Sequence, residues 1–255
     1  MKKIFKVFSV FIFLLIPLSL FSQDASIVLE YMHVEMENTG DYIAVEKEWK
    51  KIHQARIDAG IITGWQLWRN VYAAADDPYQ YITINWYENY AKTFEDATEG
   101  IFDDLFTDKE WEELYTKTVK SRTLGSREVM HRALNAEGSK SGKYVVINHM
   151  KVKPGMENAY MDVESEIWKP YQEEAIKRGM KANWGVWVAW PYKEGQSRYS
   201  SVDGFNSMDQ MMNNDDILED VHPGMTWEEM DKKTSETRRI SSIEIWENMD
   251  SVWGD

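Results

Sequence analysis

The sequence predicts an α+β protein built from two tandem β-α-β-β-α-β units whose sheets close on each other as an α/β barrel within one chain. Three observations carry this. Tyr42, Val45, Glu46, Trp49, Lys50, Gly60, Trp65 and Trp68 recur as Tyr160, Val163, Glu164, Trp168, Lys169, Gly179, Trp184 and Trp187, at an offset of 118 that becomes 119 after one inserted residue. Tryptophan is rare, so this alignment reports an internal duplication rather than composition. A late segment repeats as well: Trp111-Glu112-Glu113, Lys117-Thr118 and Arg122 match Trp227-Glu228-Glu229, Lys233-Thr234 and Arg238, followed by Glu128-Val129 against Glu244-Ile245. Third, the strand-like runs carry large apolar residues at both parities, which implies sheets covered on both faces.

In chain order, Ser26 to Glu35 reads as a strand, and the capping residues of Asn38-Thr39-Gly40-Asp41 open a helix with Tyr42, Val45, Trp49, Ile52 and Ala59 at helical spacing to Gly60. Gly64 to Tyr72 and Tyr79 to Tyr87 form two strands joined by a turn-forming segment. A helical region from Asn89 to Val119, interrupted near Gly100, leads to a strand over Ser126 to Leu134. The polar stretch 137–142 is a linker. The order then restarts: strand Tyr144 to Val152, helix Glu157 to Arg178, strands Trp184 to Trp190 and Arg198 to Phe205, a helix, and strand Ser242 to Glu247. The inserted residue lies between Glu164 and Trp168 with Pro170 just beyond, which predicts a π-bulge or kink and marks that segment as a functional candidate. Each unit is the ferredoxin-like split arrangement, a four-stranded sheet with both helices on one face. Two of them, 23–136 and 143–255, bury their open faces against each other as an intramolecular pseudo-dimer.

Residues 1–22 have the pattern of an export signal, with Lys2, Lys3 and Lys6 before the apolar run Phe8 to Leu20. Export, to the periplasm or medium, is the expectation, with no membrane association once the leader is cut. The formal charge is −14, and removing three lysines makes it −17. Such a surface repels nucleic acid. The chain has no cysteine, which excludes disulfides and thiolate metal sites.

The element order, together with Val152-Lys153-Pro154-Gly155 between first strand and first helix of the second unit, resembles the dimeric α/β-barrel superfamily, in particular antibiotic-biosynthesis-monooxygenase-like and stress-responsive domains. The first unit has Val34-Glu35-Met36-Glu37 at that turn. The resemblance implies ligand binding inside the barrel or between sheet and helices. Some members are cofactor-free oxygenases, some bind haem through a histidine, and some have no known activity.

Among the candidate site residues, His149 lies mid-strand where the first unit has Tyr31. Two polar rings at matched positions can place a proton beside a bound phenol or acid, because histidine titrates near neutrality. His33, His53, His131 and His222 show no metal-ligand spacing, so neither a metal nor a cofactor is expected. Residues present in one unit only guide the remaining choices: His53 against Gln172, Asn148 against Glu30, Asp203 against Thr83. Twelve tryptophans suit a core and an aromatic pocket alike. Trp68, Trp187, Trp190 and Asn148 are the expected ligand contacts, with Trp190 at the pocket mouth. The matched Glu46 and Glu164, Glu128 and Glu244, and Arg122 and Arg238 read as structural, a helix-to-strand ion pair in each unit. The acidic run 213–220 reads as a solvated helix start or loop. The expected function is an exported protein binding a small apolar or aromatic molecule. The alternative is a cofactor-independent monooxygenase- or isomerase-like enzyme using His149 and Tyr31. It would be a monomeric pseudo-dimer or a homo-oligomer.

Overall fold

The computed structural model describes residues 25–95, 100–101, 105–136, 138, 142–194, 196–212 and 215–254. The leader and most of the 137–142 linker lie outside these. The first half contains β1 (Ser26–His33), α1 (Thr39–Asp58), β2 (Gly64–Asn70), β3 (Tyr81–Tyr87), α2 (Asp108–Ser121) and β4 (Thr123–Ala136). The second contains β5 (Tyr144–Val152), α3 (Glu157–Val163), α4 (Lys169–Lys177), β6 (Asn183–Ala189), β7 (Tyr199–Phe205), the short α5 (Met208–Met211) and α6 (Leu218–Val221), α7 (Trp227–Thr237) and β8 (Arg238–Trp253). Among the described residues, eight antiparallel strands close into a barrel in the order β1-β3-β2-β8-β5-β7-β6-β4.

The two halves share a register. Ser26 pairs with Tyr87 as Tyr144 pairs with Phe205, and Gly64 with Trp86 as Asn183 with Gly204. Closure falls to the two longest strands. β4 pairs with β1 over Thr123 to His131 and with β6 over Met130 to Ala136. β8 pairs with β5 over Arg238 to Glu247 and with β2 over Trp246 to Trp253. Each carries a register shift near the change of partner, at Arg132/Leu134 in β4 and opposite Leu67/Trp68 in β8, the local twist a bulge supplies. Both strands run beyond the hydrophobic pattern, which misses their exposed starts, Thr123 to Gly125 and Arg239 to Ile243; pairing sets their length.

Strand alternation divides the core. In β1, Ile27, Leu29 and Tyr31 face the barrel interior, with Trp68, Ile84, Val145, Ile147, Trp187 and Trp246. Met32 and Val34 pack outward with Tyr42, Trp65 and Tyr81 in the layer shared with α1. Tyr160, Trp184 and Tyr199 build the equivalent outer layer of the second half.

The expected second helical region is shorter than the periodicity suggested. A 3₁₀ turn covers Ala91–Phe94, and α2 begins at Asp108, where Thr107 and Glu110 form a capping box. The α7 capping box, Thr226 with Glu229, falls one turn later in the repeat, so α7 is shorter.

The inserted residue is absorbed as a π-helical turn, Glu164–Trp168, between α3 and α4. Its effect is to keep two contacts aligned. The Trp49 indole donates to Thr118 Oγ1 at 2.9 Å and the Trp168 indole to Thr234 Oγ1 at 3.1 Å. Glu46 meets Arg122 at 3.6 Å and Glu164 meets Arg238 at 3.4 Å. Because the π turn takes up the extra residue, both pairs survive the change of offset. It packs under α7, with Ile167 against Leu218 and Met230, and is not among the residues lining the barrel cavity.

Glu46 and Glu164 are both fully buried. Burial pushes each carboxyl up to about 7 despite the adjacent arginine. Each therefore holds its proton more tightly folded than unfolded, so its contribution to stability is fully present below the unfolded value of 4.5 and is lost as pH rises through about 7. A Glu46→Gln/Glu164→Gln double variant should lose less Tm than the wild type between about pH 5 and about pH 8, whatever its absolute stability. Parallel Tm-against-pH curves would contradict this.

Candidate functional site

The barrel encloses a cavity of about 990 Å³, a size that takes a drug-sized molecule. It opens at the end where β1, β2, β5 and β6 begin, at a rim that includes Ala25, Thr63, Glu88, Gly142, Asn183 and Gly254. The mid-section is aliphatic and aromatic, with Leu29, Ile84, Ile147, Val202, Trp68 and Trp187. Trp86 packs edge-on to Trp187 at 5.5 Å and against Trp253 at 5.3 Å. Gly64 makes that arrangement possible, since a Cβ there would lie 2.2 Å from Trp253 Cε3. The indole N–H of Trp68 is buried and has no partner among the described residues.

At the far end the lumen turns polar, through positions matched between the halves. In one half Tyr31 Oη donates to Glu128 Oε2 at 2.8 Å. In the other, His149 Nε2 meets Glu244 Oε1 at 3.2 Å and Ser200 Oγ meets His149 Nδ1 at 3.3 Å. Glu244 also accepts from Tyr79 Oη at 2.6 Å and from the Trp246 indole at 2.7 Å. The Tyr79 ring lies against Tyr31, centroids 4.5 Å apart. Burial raises Glu244, but hydrogen bonds from His149, Tyr79 and Trp246 outweigh it and hold the carboxyl below the usual range. A carboxylate only accepts, so Nε2 of His149 donates to Glu244, while Nδ1 faces the Ser200 hydroxyl. Burial, then the nearby carboxylates, push both Tyr31 and Tyr79 upward, so both phenols remain donors. The cluster thus offers a protonated phenol and an imidazole held in place by its carboxylate.

Of the residues singled out in the sequence, His149, Tyr31, Trp68 and Trp187 line the cavity. Asn148 does not. As the neighbour of His149 on a strand it points to the opposite face, where its amide donates to Ser201 Oγ at 3.3 Å and Asp203 Oδ2 at 3.1 Å. Trp190 lies just past β6, 52% exposed, against Tyr90 at 5.4 Å; the tryptophan at the mouth is Trp253. His53 is a buried ring stacked on Trp65 at 4.9 Å, and burial, then Arg56, lower its pKa well below the usual value. Asp203 pairs with Lys181 outside the lumen. Asp216 accepts from the backbone of Leu218 and the indole of Trp227, which fits a helix start; Asn213 and Asn214 lie outside the described residues. No group of metal-binding side chains occurs among the described residues, and no helix among them is long and apolar enough to cross a membrane. Glu128 lines the lumen and Glu244 holds His149, and neither meets an arginine in an ion pair among the described residues. Their parity with Met130 and Trp246 carried that signal. Ser200, Tyr79 and Arg132 were missed.

No family model matches the chain, and no curated protein matches it by sequence. Among solved structures it is similar to an anthrone oxidase-like protein at 10% identity, covering 91% of this chain and 93% of that one, TM-score 0.51. It is similar to a candidate monooxygenase from Lactobacillus acidophilus NCFM at 9% identity, covering 90% and 96%, TM-score 0.52. A candidate monooxygenase from Fusobacterium nucleatum subsp. nucleatum ATCC 25586 matches at 6% identity over 91% and 95%, TM-score 0.53. The chain has the dimeric α/β-barrel fold. At such identities the likeness is one of fold, and fold leaves chemistry open. Some dimeric α/β barrels hold haem through a histidine. Here His149 is the one histidine lining the lumen among the described residues, and Ser200 and Glu244 engage both its nitrogens. A haem iron there would have to take Nδ1 in place of Ser200, because Nε2 is held by Glu244.

Glu244→Gln would leave one oxygen to serve His149, Tyr79, Trp246 and the more distant Asn70 amide, and should lower Tm by about 4–8 °C, or ~2 kcal/mol. Glu128→Gln, beside Tyr31 alone, should cost about half as much. Equal losses in thermal unfolding would contradict this account of the cluster.

Proposed function

We propose that the protein binds a small, flat, largely apolar molecule in the barrel lumen, and that it does so outside the cytoplasm after loss of its leader. One observation carries the reading: the 990 Å³ cavity with aromatic walls, open at one end, ends on a fixed set of hydrogen-bonding groups. Apolar walls supply affinity, and the polar end sets orientation. The buried, unpartnered N–H of Trp68 is a further group that a ligand acceptor would satisfy. The matched register of the halves supports reading the barrel as two tandem ferredoxin-like units from one duplication. Matched positions such as Tyr31 and His149 then stand at one level of the lumen.

The enzyme reading is favoured by one feature, the Glu244–His149 pair. Glu244 fixes the imidazole so that Nδ1, shared with the Ser200 hydroxyl, can take a proton from a bound phenol or from a carbon beside a carbonyl. The Tyr31 phenol, held protonated by its surroundings, can donate to the carbonyl oxygen as charge develops there. The walls keep water away from that exchange. The likeness in fold to oxygenase-type proteins is compatible with such chemistry and does not specify it.

Titration with a neutral fused-ring probe such as 2-tetralone, read by tryptophan quenching, should saturate at one molecule per chain. Ile147→Trp, which fills the mid-lumen, should abolish it without loss of circular dichroism. His149→Gln should keep binding within a few-fold yet remove any acceleration of probe C–H exchange into D₂O. Saturation unaffected by Ile147→Trp would place the site elsewhere, and no acceleration in the wild type would leave the binding reading alone. For the leader, the intact mass of protein recovered from its host should correspond to a chain starting near Gln23; a chain starting at Met1 would contradict export by cleavage.

A further inference from the structure

Arg132 lines the cavity from β4, paired in register with Trp187 and with its guanidinium 5.9 Å over that indole. Its Nε is buried and unpartnered, and it makes no ion pair among the described residues. That is costly for a partly buried cation, and Trp187 offsets it only in part. The chain does not lack acid: 43 carboxylate side chains stand against 29 lysines and arginines. The other lysine or arginine lining the cavity, Lys92, is paired. Lys92 holds Glu95, His149 holds Glu244, and Asp58 accepts from Gln54. Neither Asp58 nor Glu88, the carboxylates on the rim, reaches Arg132 as an ion pair.

The register also makes the charge one-sided. The position matched to Arg132 in the other half is Asn248, which pairs with Trp68 as Arg132 pairs with Trp187. An otherwise two-fold chamber therefore carries a single unneutralised cation, on one wall. Glu128 stands four residues before Arg132 on the same strand and the same face. At a strand rise of ~3.3 Å and a tilt of about 40°, the two are roughly 10 Å apart along the barrel axis.

We propose that the lumen takes an aromatic acid: an anion, most simply a carboxylate, bound by Arg132 on one wall, a flat core of roughly two or three fused rings spanning the length between, and a phenol or carbonyl meeting Tyr31 and His149 at the far end. The guanidinium fork matches a carboxylate in two parallel hydrogen bonds, and the asymmetry of Arg132 against Asn248 fixes which way round the ligand enters. This rests on the lumen being the binding site, as proposed above, and adds the class of ligand.

The test compares 6-hydroxy-2-naphthoic acid with its neutral carboxamide, titrated into the wild type, Arg132→Gln and Arg132→Lys by calorimetry at low and high salt. The acid should bind the wild type at least tenfold more tightly than the amide, and added salt should narrow that gap. Arg132→Gln should erase the preference while leaving amide affinity within about two-fold, and Arg132→Lys should keep part of it. Equal binding of acid and amide to the wild type would overturn the aromatic-acid assignment and leave the lumen as a neutral binding site. A preference retained in Arg132→Gln would overturn the role of Arg132. Binding of neither probe would overturn this inference, with the lumen reading then decided by the neutral 2-tetralone titration.

Discussion

Everything in this molecule depends on two strands that each belong to both halves. A four-stranded sheet with helices on one face leaves its other face bare, and β4 and β8 solve this by running past their own sheet to pair with β6 and β2 of the other. Those pairings remove every free edge of the barrel and turn two open faces into one interior. The bulges near Arg132 and Met249 lie where each strand changes partner. The same pairings set Trp68 beside Asn248 and Trp187 beside Arg132, so the device that closes the barrel also places the residues of its lower wall.

The interior is not filled. Small barrels of eight strands are commonly packed solid with side chains or hold one ligand. Here large indoles stand around the wall while the volume between them stays open. Polar groups gather at both ends, and between them Gln66, in register with Ile84, accepts from the Trp86 indole. At the far end each carboxylate is matched to a ring on the neighbouring strand, Glu128 to Tyr31 and Glu244 to His149. The two halves carry this hydrogen bond at matched positions, from a phenol in one and with an imidazole in the other. The structural pairs under the helices, Glu46 with Arg122 and Glu164 with Arg238, stayed the same in both halves.

Much of the architecture was legible because the duplication doubles every signal: tryptophans at offsets of 118 and 119 fixed the helix and strand order, and one surplus residue located the π turn. The lumen was legible only in part. His149 and Tyr31 stand out by residue type, whereas Asn148, next to His149 on the strand, faces the other way, since adjacent strand residues cannot share a face. Trp190 was chosen for lacking a counterpart, while Trp253, which lacks one too, stands at the mouth. Glu128 and Glu244 looked structural because both halves keep them. Nothing local marks Tyr79, which reaches Glu244 across 165 residues of sequence, or Arg132, whose meaning lies in the partner it does not have. Such facts belong to closure of the barrel rather than to any stretch of chain.

The central claim is that the lumen is a ligand chamber. Its most direct measurement is native mass spectrometry of the wild type and of Ile147→Trp, both purified from the protein's own host. The account predicts one small molecule per wild-type chain, released on denaturation, and none on the filled variant. A wild-type chain that carries nothing, or a variant that retains the same added mass, would contradict it.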